Sequence, residues 1–395
     1  MAPWDFLPFW LPGAKKGKKM LELMNRQGYW VSWLVAYRPK KLLARNRRYR
    51  MKKYSLFAIM ATIATISQAH AAIVLDVNTG DATANAVLKA EIEKQFQVPT
   101  MTDFLGRMSN AQSLSNKGQG VSYATDHSLF VVGGSGGVGF SSASGFDVQT
   151  SGNGLPPVGI GVQGSIMAGM SLSKLPVPAL GPVDLKKLTI FVNFMGYSND
   201  SIVSSLSVKT NTFGIHAQYK FIDGKNIGGL GLLNWGGVAF TTGFDVSSNS
   251  LTYKVGQSIS PSSGGITYNW TPNSNSNLVL EANSFSVPLE ISTSARLLYI
   301  LSIFGGAAVD LNFGNSKVAA NLNGPVTSTP AGVNGTASLT GSEEQGPAFG
   351  HLRFFAGPQL NLVPLRNTNL LSIYAQGNVS LGGNYGVHAG IRAAW

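Results

Sequence analysis

The chain has 395 residues, of which 12% are charged, with 47 glycines and no cysteine. The missing cysteine excludes a disulfide framework, cysteine-ligated metal and a lipidated cysteine anchor. Its net charge of +12 would suit nucleic acid, but fourteen Lys and Arg against Asp5 and Glu22 fall in residues 1–53, and the remainder is balanced. A nucleic-acid surface carries its charge on the fold, so no nucleic-acid partner is expected.

Residues 1–50 combine Trp4, Trp10, Trp30 and Trp33 with many Lys and Arg, the composition of an amphipathic membrane-surface segment. The reading adopted here is a basic leader upstream of the true start, Met51. Met51-Lys52-Lys53, the apolar run Tyr54 to Ile66, and Ala69-His70-Ala71 have the layout of a Sec signal peptide over 51–71. Cleavage is expected between Ala71 and Ala72.

Residues 72–126 predict a short two-helix segment. Leu88, Ile92 and Phe96 recur every four residues before Pro99, and Met101, Phe104, Leu105 and Met108 form a second stripe. Such helices need a surface to lie on. A plug inside a barrel and a periplasmic cap both supply one. Lys117 to Asp126 (KGQGVSYATD), followed by an apolar Gly-rich strand, resembles the opening region of leptospiral surface adhesins. Those are outer-membrane proteins assigned to binding host matrix components. The resemblance covers residues 110–140 and transfers no binding residue.

Residues 127–395 read as an antiparallel transmembrane β-barrel. The candidate strands are 128–140, 158–172, 187–197, 203–210, 212–222, 230–246, 249–258, 276–282, 285–292, 296–313, 347–362, 369–381 and 385–395. An even count of 12–14 is expected, since bacterial barrels have even numbers. Period-two alternation is cleanest in 212–222, where Phe213, Ile215, Ala217, Tyr219 and Phe221 oppose polar neighbours. His216, Lys220, Glu290, Asp310 and Arg392 all fall on polar faces, and are therefore assigned to the lumen. A Lys or Arg on the lipid face would cost about 2–4 kcal/mol. The apolar positions Ala217, Ala375, Gly377, Ala389 and Ala393 are small, which argues against a sandwich core. The longest apolar run, Leu297 to Phe304, is strand-sized and too short for a membrane helix.

The last strand ends on Trp395 after a Gly382-Gly383-Asn384 turn. It resembles the C-terminal strand of Gram-negative outer-membrane barrels, whose final aromatic is read by the insertion machinery. Two long loops, 261–275 with Tyr268 and Trp270, and 314–346, are the candidates for surface contact.

Catalytic signals are absent. Gly133 to Gly139 fits both G-x-S-x-G and G-x-G-x-x-G, but no helix follows, as each motif requires. Asp126-His127-Ser128 are adjacent and cannot form a triad. No catalytic residue, metal site or cofactor is expected. The sequence thus predicts a non-enzymatic, surface-exposed barrel in the cell outer membrane. Its expected partners are membrane lipid, the barrel-assembly machinery and a host or environmental ligand. An adhesin-like or structural role leads, a plugged channel for a small or hydrophobic solute is the alternative, and a soluble secreted β-protein is the third reading.

Overall fold

The computed structural model describes residues 72–96, 101–124, 129–142, 158–176, 183–203, 205–227, 232–364 and 369–395. The leader, the signal peptide and Ala71 lie outside them, while Ala72 lies within.

Ten strands hydrogen-bond into a closed antiparallel ring. In ring order they are β2 (Phe130–Ser142), β3 (Val158–Ser171), β4 (Leu188–Val203), β5 (Leu206–Ile227), β6 (Leu233–Lys254), β9 (Asn277–Leu297), β10 (Leu301–Thr329), β12 (Gly350–Pro364), β13 (Asn369–Ser380) and β14 (Asn384–Ala394). β14 returns to β2 to close it. Trp395 completes the seam through backbone bonds exchanged with Phe130 at 3.0 Å in each direction, its ring 6.1 Å from that of Phe130. The side chain of Trp395 faces outward and is 50% exposed.

The outward face is apolar, as a lipid face must be. Ile166, Ile215, Leu289, Ile291, Ile303, Val309, Phe354, Ile373 and Ile391 all stand exposed on it. A row of rings closes this band at one end. Phe213, Phe244, Phe285, Phe313 and Phe349 follow one another at 6.0, 6.3, 5.8 and 5.3 Å between centroids. Such a girdle marks a membrane interface.

Beyond the girdle the polarity of the wall inverts. On β10, inward positions Ser302, Asp310, Asn312 and Ser316 give way to Val318, Ala320, Leu322 and Val326, all buried. The outward positions change the other way, from Ile303, Val309 and Phe313 to Asn315, Lys317, Asn321 and Asn323. The same switch occurs on β9 between Phe285 and Asn283. Above the girdle the sheet therefore behaves as in a water-soluble domain, with its apolar face turned inward.

This upper part is a head. β11 (Asn334–Gln345) pairs with the far half of β10, and β1 (Val74–Asn78) pairs with β11. The ribbon β7 (Ser262–Ser263) and β8 (Ile266–Trp270) joins β10 at Val326 to Thr329. The helix α1 (Ala82–Phe96) lies under this sheet and buries Ala84, Leu88 and Ile92 against Trp270, Leu322 and Leu339. Asp81 starts α1 by accepting from Thr83 N at 2.7 Å and Ala84 N at 3.1 Å, a cap that contributes about 1 kcal/mol.

Two expectations need correction. The described residues form one 14-stranded sheet, within the expected 12–14, but only ten of its strands close the ring, because 203–210 with 212–222, 230–246 with 249–258, and 276–282 with 285–292 are each one long strand. The polar residues that suggested breaks, Asn211, Ser248, Asn283 and Asn315, are register partners in one continuous row just above the girdle. Second, the long loop 314–346 is largely strand, and 261–275 contains the β7–β8 ribbon. Tyr268 and Trp270 are core residues of the head, 2% and 0% exposed, with Trp270 Nε1 donating to Ala337 O at 3.0 Å.

Candidate functional site

The second helix, α2 (Met101–Ser115), leaves the head and descends inside the ring. Its first turn still belongs to the head core, through Met101 and Leu105. Below that its partners follow the wall downward. Ser109 Oγ donates to Gln345 O at 2.8 Å, Gln112 Nε2 to Ser247 Oγ at 3.1 Å, and Ser113 Oγ lies 3.0 Å from Ser284 Oγ. α2 touches β2, β3, β9, β10, β11 and β14, and so fills the bore from several sides.

Glycines make that fit possible. A Cβ on Gly139, Gly159 or Gly161 would stand 2.2, 2.2 or 2.6 Å from the α2 backbone. Only a residue without Cβ permits such an approach. Within the Gly-rich run 133–139, Gly139 is thus packing surface for the helix and Gly137 for Gln119 of the strap that follows it.

After α2 a strap, residues 116–124, crosses a cluster of buried charge. Lys117 Nζ donates to Ser286 Oγ at 2.7 Å and lies 3.7 Å from Asp310 Oδ1. Arg353 forks across three strands: its Nε donates to Asp310 Oδ2 at 2.7 Å, Nη2 to Glu290 Oε1 at 2.5 Å, and Nη1 to Asn378 Oδ1 at 2.8 Å. Tyr123 Oη donates to the other Glu290 oxygen at 2.7 Å, its ring 4.7 Å from Phe355 and 5.6 Å from Phe304. Arg392 Nη2 donates to Val121 O at 2.6 Å and its guanidinium lies 3.5 Å from the Tyr374 ring centre. His216 Nε2 is 3.0 Å from Asp245 Oδ1.

Charges so deeply buried are tolerable only when paired. Here three cations (Lys117, Arg353, Arg392) sit among three carboxylates (Asp245, Glu290, Asp310), all nearly inaccessible to solvent. The network joins strap to wall, and its chemistry is that of a fastener.

Of the residues assigned to the lumen from sequence, Glu290 and Asp310 meet in this network, and Arg392 and His216 line the same bore. Lys220 lies further along β5 and is half-buried. Arg353, Lys117 and Asp245 were missed. Arg353 alternates with Leu352 and Phe354, which is the same signal that singled out Asp310. Lys117 sits in a non-periodic strap, where alternation says nothing.

One further feature lies beside α2. β3 and β4 pair only from Ile166↔Phe194 to Ser171↔Thr189. Above Phe194 they part, and an apolar cleft of about 410 Å³ opens, lined by Phe104, Met108, Val158, Ile160, Val162 and Leu251 among others. Among the described residues no group of three or more His, Asp or Glu could hold a metal ion.

Residues 68–395 match the Lsa36-like family. No curated protein matches the chain. Among solved structures it is similar to the translocator domain of the autotransporter NalP from Neisseria meningitidis, at 11% identity and TM-score 0.28, over 79% of this chain and 98% of that one. It is also similar to the outer membrane protease OmpT from Escherichia coli, at 9% identity and TM-score 0.32, over 69% and 99%. A third is Ail, the attachment invasion locus protein of Yersinia pestis, at 12% identity and TM-score 0.20, over 67% and 97%. These are likenesses of fold. With the matched span taking in head, lumen helix and barrel, the chain belongs to the Lsa36-like family of leptospiral surface adhesins and is a Gram-negative outer-membrane β-barrel protein.

Proposed function

We propose that this protein is a closed barrel that holds its head above the membrane as an adhesin-like binding surface, after export by the signal peptide over 51–71. The observation that carries this reading is the inverted polarity above the aromatic girdle. A transporter has no need of a water-soluble sheet continuous with its wall, whereas a displayed binding module does. The filled bore supports it too, because Ser247, Ser284, Ser286, Glu290 and Asp310 of the wall are engaged by α2 and its strap. The role is binding rather than catalysis, and the partners we propose are lipid, the barrel-assembly machinery and a host or environmental ligand.

The test is retention of the detergent-solubilised protein on immobilised extracellular-matrix protein. Retention should fall when the hairpin tip 330–333 and the ribbon tip 262–265 are replaced by Gly-Ser turns, which leaves the core residues Tyr268 and Trp270 in place. Undiminished retention would place binding outside the head.

The cleft between β3 and β4 favours a second reading, passage of a hydrophobic solute. Liposomes holding the protein would then take up a fluorescent long-chain fatty acid, and Met108→Arg would stop it. No uptake by the unmodified protein removes this reading.

A further inference from the structure

The path of residues 72–124 has a topological consequence. β1 and α1 stand in the head, beyond the aromatic girdle. α2 and the strap then run down the bore, from Met101 in the head core to Tyr123 among Phe304, Phe355 and Phe191 near the other end. The first residue of β2, Phe130, lies beside Trp395. The N-terminal elements and the start of the barrel thus lie at opposite ends, joined by a segment inside a ring closed by hydrogen bonds all round.

The end holding Phe130 and Trp395 is the periplasmic one. Three of its four strand connections, 228–232, 298–300 and 365–368, have five residues or fewer; at the opposite end 204–205 and 381–383 are as short, but that end alone carries the head. Outer-membrane barrels have short periplasmic turns and longer outer loops. An even number of strands also returns both barrel termini to the side from which an exported chain arrives.

We propose that the barrel carries its own N-terminal segment across the outer membrane, so that β1 and α1 reach the cell surface through the lumen. This rests on the reading of the head as surface-displayed. The bore admits one helix: a Cβ on Gly139, Gly159 or Gly161 would already clash with α2. α1 and α2 therefore pass one after the other, extended or singly helical, and α2 with its strap remains as the stopper. The contacts of Lys117 with Ser286 and Asp310, and of Tyr123 with Glu290, form only when passage is complete. Any flexible peptide placed ahead of Ala72 should be displayed as well.

The absence of cysteine makes the test direct. Three single variants are labelled on intact cells with a membrane-impermeant maleimide: Lys89→Cys on α1, Ser262→Cys on β7, and Lys225→Cys on the β5–β6 hairpin. Labelling of the first two on intact cells, and of Lys225→Cys only after permeabilisation, is the expected result. Labelling of Lys225→Cys but not Ser262→Cys overturns the displayed head itself. Labelling of Ser262→Cys with Lys89→Cys protected leaves the head outside and overturns self-transport alone. A second arm fuses a small domain with one internal disulfide ahead of Ala72. A peptide epitope placed between that domain and Ala72 should be reached by antibody on intact cells when the domain is kept reduced, and lost from the surface when it is oxidised. Surface delivery of the oxidised, folded domain would show that the segment does not travel through this bore.

Discussion

Arg353 binds acceptors on three strands at once, Asp310 on β10, Glu290 on β9 and Asn378 on β13. Arg353→Ala leaves Asp310 with Lys117, and Glu290 with the Tyr123 hydroxyl, as their remaining partners, and removing one partner of a buried pair costs about 3–5 kcal/mol. The expected outcome is a clearly lower temperature at which the compact band on a mild-detergent gel converts to the unfolded one. Arg353→Lys should recover only part, because an ammonium cannot reproduce the fork. An unchanged conversion temperature for Arg353→Ala would mean the network contributes nothing to closure. Gly161 tests the same fastening sterically. A Cβ there would lie 2.6 Å from Ala111 O and the Gln112 backbone, whereas at Gly134 the nearest atom is 4.0 Å away. Gly161→Val should loosen α2 and give conductance events in a planar bilayer, and Gly134→Ala should stay silent. Alternation alone exposed Asp310 and Glu290, since a charge between apolar neighbours on a strand has one face open to it. The same rule applied to Leu352-Arg353-Phe354 yields Arg353, the centre of the network. Lys117 follows no period, and only the fold reveals it.

At the scale of elements, β10 is one strand in two solvents. Its residues up to Phe313 present apolar side chains to lipid, and those beyond Asn315 present apolar side chains to the head core. Charge should therefore act differently on either side of the girdle. Val309→Arg, on the lipid face, should cost up to about 2–4 kcal/mol and lower the yield of inserted barrel. Val318→Asp, in the head core, should leave the heat-modifiable barrel intact while exposing β11 and the β7–β8 ribbon to protease. If both variants fail at insertion, head and barrel fold as one unit. This inversion also explains why the barrel was legible from sequence and the head was not. Alternation of period two survives the girdle, but the sense of the face reverses, so Asn211, Ser248 and Asn283 fall between candidate strands and Asn315 falls in a candidate loop. The β10–β11 hairpin, rich in Asn, Gly and Thr, has the composition of a loop, and its partner β1 lies far away in sequence. Trp270 looked like a loop aromatic because nothing local shows that Leu322 and Ala337 pack on it. The helices were found because their stripes are local, although plug and cap could not be told apart until α2 was seen inside the ring.

For the whole molecule, the closed state depends on α2 and the strap. The intact protein should stay silent in a planar bilayer, and deletion of residues 72–118 should give steady conductance. A silent deletion variant would mean that the strands alone close the bore. The head and the barrel share no hinge: β5, β6, β9 and β10 run from one into the other without a break in pairing other than local bulges. β9 and β10 stay in register from Leu301↔Leu297 to Asn321↔Asn277. Bonds between antiparallel strands lie across the strand direction. A drag force on a tethered head would therefore pull along the strands and strain that whole ladder in shear, many bonds together, instead of peeling them open singly.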